Sequence, residues 1–256
     1  MRSDEGDESY GEGERRFLRS NWELLRDYTS DERSGKPPPE LQKPAEDSPV
    51  RRLPGVKPDQ HCRLTVAQAV FERRSVRSFT DDPITLRELS FLLWATQGVR
   101  RVIGEGRASL RTVPSGGARH AFETYLFCWR VSDLSPGVYR YLPLDHAVCL
   151  QHELPAPGRL ADAAVGQGFL EEAAVTFAWA AIPYRMEWRY GPVSAKIIAL
   201  DAGHICQNLY LACQEIGAGT CAIGAYNQDA CDELLGLDGR EELVVYMAPV
   251  GRPARS

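Results

Sequence analysis

The stretch of sequence that decides the fold runs from Ala195 to Gly217 and reads AKIIALDAGHICQNLYLACQEIG. Apolar residues occupy most faces of a helix drawn through these residues. A helix that is hydrophobic nearly all round lies in a core or at an interface rather than on a solvated surface. We therefore predict a long helix over residues 195–217 that is buried in the core or between subunits.

Shorter segments before and after this helix also have helical periodicity. TVAQAVFERR carries apolar residues at helical spacing and begins at Thr65, a suitable N-cap. A second helix is predicted from Thr85 to Gly98, because Glu88 stands three residues after Thr85, as in a capping box, and glycine is a common helix end. A short helix is predicted over DACDELLGL, residues 229–237.

Strands account for most of the remaining globular sequence. Alternation or continuous apolar character predicts strands over Ala121–Val131, residues 137–142, residues 146–152, residues 173–183 and residues 242–251. TCAIGAYN, residues 220–227, predicts a short strand and a turn. Helices and strands do not alternate regularly, as they would in a doubly wound sheet, so we predict an α+β fold.

Composition excludes several classes of protein. The 256-residue chain has a formal net charge of -5 and no long Lys/Arg tract, which argues against a nucleic-acid partner. No run of about 18 apolar residues predicts a membrane span, and the acidic, polar start does not resemble a secretory signal. The 7 cysteines are scattered without a CxxC pair. They predict neither a disulfide framework nor a zinc site and favour a reducing, cytoplasmic location.

Residues 1–60 differ in composition from the rest of the chain, because they are rich in charged residues, Pro, Ser and Gly. We predict a short helix around Phe17–Tyr28, then an extended arm stiffened by proline, and a globular domain over residues 61–256. The sequence leaves two fates open for the arm. It wraps over the core or over a partner subunit, or it is partly disordered.

A compact cationic segment, RRSVR, follows the first core helix and contains Arg73, Arg74, Ser75 and Arg77. Guanidinium groups suit bidentate binding of phosphate, and the serine hydroxyl adds a further donor. The same composition is also favoured at a solvated helix C-terminus, because cations interact well with that end of the helix dipole.

Two segments of small residues could approach a ligand through their backbone. One is PSGG, with Pro114, Ser115 and Gly116; the other is IGA, with Ile223, Gly224 and Ala225. Each taken alone is also an ordinary turn. Neither a phosphate-binding Walker loop nor the glycine pattern of a Rossmann dinucleotide site is present.

Side chains that could act on a substrate lie before and within the long helix. Tyr190 could donate a proton or form an aromatic wall, and Arg189 could orient an anionic substrate. His204 lies inside the helix, where a hydrogen-bonded core histidine is expected rather than a catalyst. No metal site is predicted.

Taken together in order, these segments resemble the nitroreductase superfamily and, more narrowly, its SagB-type branch, which includes the thiazoline/oxazoline dehydrogenases. The resemblance covers residues 64–253 and is carried by FERRSVRSFT, RTVPSGGARH, RYGPVSAK, TCAIGAYN and APVGRP. The N-terminal arm is also similar to the leader found on stand-alone members of this branch.

The resemblance implies a mixed, mostly antiparallel central sheet flanked by helices, in a domain-entwined homodimer that holds two FMN molecules at its interface. It implies that RRSVR holds the phosphate and the pyrimidine side of the flavin, and that residues 223–225 offer backbone to the ring. Residues 114–116 would reach the cofactor from the other subunit, and Arg252 would complete the phosphate site.

The activity implied by the resemblance is a ping-pong transfer of electrons from NAD(P)H through FMN to a small organic acceptor such as a nitroaromatic or quinone. One departure bears on the branch. Arg189-Tyr190 stands where the azoline dehydrogenases carry Lys-Tyr, and an arginine stays protonated and is no ready base. This favours a stand-alone reductase. The alternatives are a flavin-dependent dehydrogenase that tailors a peptide or small metabolite, and a flavin-binding or scaffold protein without turnover.

Overall fold

The computed structural model describes residue 15, residues 17–60 and residues 63–254 of the chain. Cys62 and the first residues of the arm lie outside this part. Within it, the chain forms one large sheet with helices on both faces, two small two-stranded sheets and several short 3-10 turns. The α+β fold class, with an antiparallel sheet flanked by helices, is therefore confirmed.

The central sheet has seven strands, and all of its strand pairs are antiparallel. In spatial order these strands are β1 (Val50–Arg52), β8 (Ala147–His152), β7 (Gly137–Leu142), β5 (Phe122–Cys128), β9 (Val175–Ala181), β11 (Leu243–Gly251) and β10 (Gly219–Thr220). The small sheets pair β2 (Ile84–Thr85) with β6 (Val131–Ser132) in parallel, and β3 (Val99–Ile103) with β4 (Ala108–Arg111) in antiparallel.

Both faces of the sheet are buried against helices, which explains why the central strands are mostly apolar. Every residue of β5 and β9 is buried, with Phe177 and Trp179 in the core on one face and Ala178 and Ala180 in the core on the other. The first core includes residues of α2 (Leu86–Gln97) and α6 (Ser194–Glu215). The second includes residues of α3 (Arg159–Ala163), α4 (Phe169–Glu172) and α7 (Gln228–Leu235).

The helices predicted in the globular domain form close to their predicted bounds because their ends are encoded locally. The Thr65 side chain caps α1 (Val66–Glu72), and the Thr85 side chain caps α2; both helices have complete capping boxes. The α2 helix ends at Gly98, as expected. The long apolar helix is α6, which buries residues along most of its length.

The structure corrects three details of the sequence-based prediction. The strand expected over Ala121–Val131 is broken, because the amides of Trp129 and Arg130 both donate to the carbonyl of Ala174 and so leave the ladder. The helix expected around Phe17–Tyr28 is interrupted, because the chain is α-helical at residues 17 and 18, leaves the helix, and then forms a 3-10 helix over Trp22–Leu25. The prediction also missed the β3–β4 hairpin and α5 (Tyr184–Tyr190).

The described part of the arm lies on the core of its own subunit. β1 pairs with β8 at the edge of the sheet, so packing of the globular domain begins before residue 61. Further back along the arm, backbone carbonyls accept hydrogen bonds from buried arginines. Arg111 donates to Leu41 at 2.9 Å, and Arg140 donates to Lys43 at 3.0 Å and to Pro44 at 2.6 Å.

A buried carboxylate balances part of this positive charge. Glu123 accepts from Arg140 at 3.2 Å, from Arg185 at 2.6 Å and from the Lys43 amide at 3.0 Å. Burial alone would raise the pKa of Glu123, but the charges of Arg185 and Arg140 outweigh burial and hold the pKa below its ordinary value. The Glu123 cluster therefore joins the arm, the sheet and α5.

The six described cysteines are buried and free. Across the residues that the structure describes, no helix is both long enough and apolar enough to cross a membrane.

Candidate active site

The cationic segment RRSVR leaves α1 and runs alongside β10. Arg73 has non-helical backbone angles, φ -53° and ψ 123°, and so ends the helix. Ser75 then forms a parallel bridge with Thr220, and the Val76 amide donates to the Thr220 carbonyl at 2.9 Å. This pairing holds the segment extended, with Arg74, Ser75 and Arg77 exposed.

Among the described residues, the guanidinium groups of this segment have no acidic partner. In the described part of the chain, Arg74 and Arg77 make no side-chain hydrogen bond or ion pair. Arg73 lies over the ring of Tyr210, 5.4 Å from its centroid. A surface that presents only donors and positive charge is suited to an anion such as a phosphate.

Tyr210, on α6, joins the cationic segment to the IGA segment. Its hydroxyl lies 3.0 Å from Ser75 Oγ and accepts a hydrogen bond from the Ala222 amide at 2.8 Å. The buried Tyr210 side chain thus contacts Arg73, Ser75 and the Ala222 amide, which lies just before the IGA segment. The sequence analysis did not single out Tyr210. In the sequence this residue is one of many apolar positions in the long helix.

The IGA segment presents free backbone donors beside these residues. Ile223 is fixed by reciprocal hydrogen bonds with Met247, after which the chain leaves the sheet. Among the described residues, the amides of Gly224 and Ala225 have no hydrogen-bond acceptor, and both residues are exposed. A Cβ on Gly224 would meet only the Tyr246 ring, at 3.9 Å, so the space in front of this backbone is open.

Arg252 is placed differently from the other predicted phosphate ligands. Its guanidinium donates to both carboxylate oxygens of Glu88, at 2.6 and 2.8 Å, and to the Ile216 carbonyl. Glu88 also accepts from the Thr85 amide in the α2 capping box. Arg252 is therefore engaged within its own subunit, and its assignment to a phosphate stays a prediction.

The PSGG segment packs against the first turns of α6. Gly116 lies so close to the helix that a Cβ would fall 2.4 Å from Ile197 Cγ2, and its amide is 3.3 Å from both carboxylate oxygens of Asp201. Burial raises the pKa of Asp201, and hydrogen bonds from Ser115 and Gly116 partly offset the rise. His204, expected in the core, is instead exposed, with Nδ1 4.0 Å from Asp201.

Arg189 and Tyr190 lie directly against this loop. Gly117 has a positive φ of 58°, and a Cβ there would fall 2.7 Å from the Tyr190 hydroxyl and 3.0 Å from Arg189 Cδ. The two side chains predicted to act on a substrate are therefore brought to the PSGG segment of the same subunit. Pro114 is exposed at the tip of this loop.

Apart from Arg252, the predicted site residues form two groups that meet different parts of α6. Asp201 contacts the PSGG group, and Tyr210 contacts the RRSVR and IGA group. Nine residues separate these two positions, which amounts to about 13 Å along a helix axis and about half a turn around it. The two groups of one subunit therefore contact α6 on different sides of the helix.

The sheet topology and this arrangement define an oxidoreductase of the nitroreductase type. The model of the family described as "Nitroreductase family" matches residues 70–252, and the chain belongs to this family. The chain is 33% identical over 189 residues to the putative nitroreductase MJ1384 of Methanocaldococcus jannaschii, covering 74% of this chain and 91% of that protein. The predicted family and an oxidoreductase activity are thereby confirmed.

Solved structures share the fold. A crystal structure of a putative nitroreductase from Ralstonia eutropha is similar with a TM-score of 0.66 and 27% identity, covering 86% of this chain and 95% of that one. The Escherichia coli microcin synthetase McbBCD complex, solved with truncated pro-MccB17 bound, contains a chain with a TM-score of 0.62 at 18% identity, covering 92% of this chain and 82% of that one. At that identity the likeness to McbBCD concerns the fold, and the SagB-type branch stays a prediction.

Proposed function

We propose that this oxidoreductase holds FMN and transfers electrons by a ping-pong mechanism from NAD(P)H to a small organic acceptor of the nitroaromatic or quinone kind. The observation that carries the proposal is that Arg74 and Arg77 have no partner among the described residues. They lie in a segment that Tyr210 joins to the IGA segment and its exposed amides. When bound, FMN supplies the redox chemistry, and the protein supplies binding, orientation and electrostatics.

The residues present fit a flavin mononucleotide. Arg74 and Arg77 offer uncompensated positive charge to a phosphate dianion, and Ser75 offers a hydroxyl. The exposed amides of Gly224 and Ala225 suit the edge of a planar ring, because a backbone donor at that edge stabilises negative charge as it develops there. The open space in front of Gly224 allows such a ring to lie against the backbone.

The separation of the two groups along α6 supports a homodimer with shared sites. One group offers anion binding and backbone donors, whereas the other offers the small-residue loop with Arg189 and Tyr190. Neither group is a complete site. In an isologous dimer the RRSVR and IGA group of one subunit meets the PSGG group of its partner, which gives two equivalent sites.

Tyr190 and Arg189 are assigned to the substrate side of each site. The Tyr190 hydroxyl can donate a proton to an acceptor as it is reduced, and Arg189 can orient an anionic group. Arg189 is paired with Glu32 at 3.3 Å. A guanidinium group suits the orientation of an anion and not the removal of a proton from substrate. This favours the reductase over an azoline-type dehydrogenase.

The first test is an absorbance spectrum of the purified protein, followed without oxygen as NADH and then NADPH are added. We expect flavin bands that bleach with one of the two nucleotides and return when a nitroaromatic or quinone acceptor is added. Bands that persist with both nucleotides would contradict the reductase and favour substrate-driven oxidation. The absence of flavin bands after incubation with FMN would overturn the proposal.

A further inference from the structure

The arm covers the substrate side of the PSGG group. The Trp22 ring meets the Tyr190 ring edge-on, with centroids 5.7 Å apart. The Tyr28 ring packs on Gly191, where a Cβ would fall 2.2 Å from it. The Glu32 amide donates to the Trp188 carbonyl at 2.9 Å, which fixes the path of the arm over α5.

A single carboxylate of the arm meets two arginines at this position. Glu32 Oε1 lies 3.3 Å from Arg189 and 3.6 Å from Arg107. The Arg189 and Arg107 side chains are 43% and 58% exposed, so an ion pair with either is weak and readily exchanged. Arg119 lies nearby with its guanidinium 4.7 Å from the centre of the Trp188 ring, and it adds a further positive charge.

A cavity of about 340 Å³ opens between the arm and the start of α6. Its walls include Trp22 and Ile197, so it adjoins both Tyr190 and Gly116. Among its described lining residues, Arg19 and Lys196 are cationic and none is acidic. The cavity therefore combines an aromatic and aliphatic wall with positive charge.

We propose that the arm forms one wall of the substrate site and that the preferred substrates are aromatic acids. The Glu32 carboxylate occupies the position that the carboxylate of such a substrate takes, and it gives up Arg189 and Arg107 when the substrate binds. This assignment rests on the proposed function, because it places the substrate beside Tyr190 and the PSGG segment. It makes Glu32 a specificity-determining residue that weakens anion binding at the site.

The test compares two probes that share a ring and differ in charge, 4-nitrobenzoate and 4-nitrobenzyl alcohol, on the full-length protein incubated with FMN. Their dissociation constants are measured by titration calorimetry for the wild type, Glu32→Gln and Glu40→Gln. Glu40 is an exposed acid of the same arm and serves as the matched control. We expect Glu32→Gln to bind 4-nitrobenzoate about fivefold more tightly, the size of effect typical of a partly exposed ion pair. The alcohol and the control variant should be unaffected.

A second variant separates charge from the position of the arm. Arg189→Gln should weaken binding of 4-nitrobenzoate and leave the alcohol unchanged. The inference is overturned if Glu32→Gln leaves the affinity for 4-nitrobenzoate unaltered, or if it changes both probes equally. Flavin bands and NAD(P)H turnover are recorded on the same samples. Turnover without charge selectivity contradicts this inference alone, whereas charge-selective binding without flavin contradicts the proposed function.

Discussion

Arg77 combines two properties that make it informative: it is exposed, and no described acidic residue pairs with it. We expect Arg77→Ala to weaken FMN binding by about ten- to a hundredfold, since a hydrogen bond to a charged group contributes about 1.5–3 kcal/mol. Fluorescence titration of the apoprotein with FMN measures the change. Arg51→Ala, at an exposed arginine on the edge strand β1, is the control. Equal retention of FMN in both variants would refute the role of Arg77.

The absence of a side chain at Gly116 allows the PSGG segment to pack closely against α6. A Cβ there would overlap Ile197, and overpacking of this kind costs about 1–3 kcal/mol. We expect Gly116→Ala to lower the free energy of unfolding by that amount in urea denaturation. Gly55→Ala, where a Cβ meets nothing within 4 Å, should have little effect. Similar losses in the two variants would mean that the close approach of the loop to α6 is not maintained in solution.

Among the elements, those with local signals were predicted best. The α1 and α2 helices carry their own capping boxes, and β7 alternates within an unbroken segment, so neighbouring residues suffice to define them. Elements defined by distant partners were missed. β1 becomes a strand only because β8 offers it an edge.

The same distinction applies to the site. The resemblance located RRSVR, PSGG and IGA, because each is a contiguous segment. It did not locate Tyr210, whose hydroxyl meets Ser75 across 135 positions of sequence, or Glu32, which meets Arg189 across 157. Contacts of this kind follow from how the elements pack, and no local periodicity encodes them.

The Glu123 cluster holds the arm against the sheet and α5. The contribution of the Glu123 charge to stability can be tested by substitution. Glu123→Gln leaves Arg140 and Arg185 buried without a counter-charge, so we expect the free energy of unfolding to fall by about 3–5 kcal/mol. Chemical denaturation at several pH values measures this. Glu153→Gln, at an exposed position, is the control.

The difference in free energy of unfolding between the wild type and Glu123→Gln should depend on pH in one direction. Because the folded pKa of Glu123 is lowered below its ordinary value of 4.5, the carboxylate contributes stability that is complete above 4.5 and is lost as pH falls through the folded pKa. The gap between wild type and Glu123→Gln should therefore narrow in acid. A gap that widens as pH falls would contradict the assignment.

At the scale of the whole molecule, α1 exposes an apolar surface that a solitary subunit would leave in water. Phe71 is 90% exposed, Val66 76% and Val70 54%. Apolar side chains grouped in this way mark interaction surfaces. We expect Phe71→Glu to convert a dimer to a monomer in light scattering and to release FMN, since each site would then lack its second half.

The control for the dimer is Leu144→Glu, which changes a 44% exposed leucine in the turn after β7. This variant should remain dimeric and keep its flavin. A wild-type protein that is monomeric and still binds FMN would show that one subunit completes the site.

The hydrogen bonds between the arm and the buried arginines have a further consequence. Arg111 and Arg140 bind the carbonyls of Leu41, Lys43 and Pro44, which every amino acid possesses. The core thus fixes the backbone path of the arm through groups that do not depend on the side chain. It adds side-chain contacts at Leu41, which is buried, and at Lys43, whose Nζ pairs with Glu242. Substitutions at these positions therefore leave the backbone hydrogen bonds in place, whereas an insertion or deletion would shift every residue that the arm places over α5.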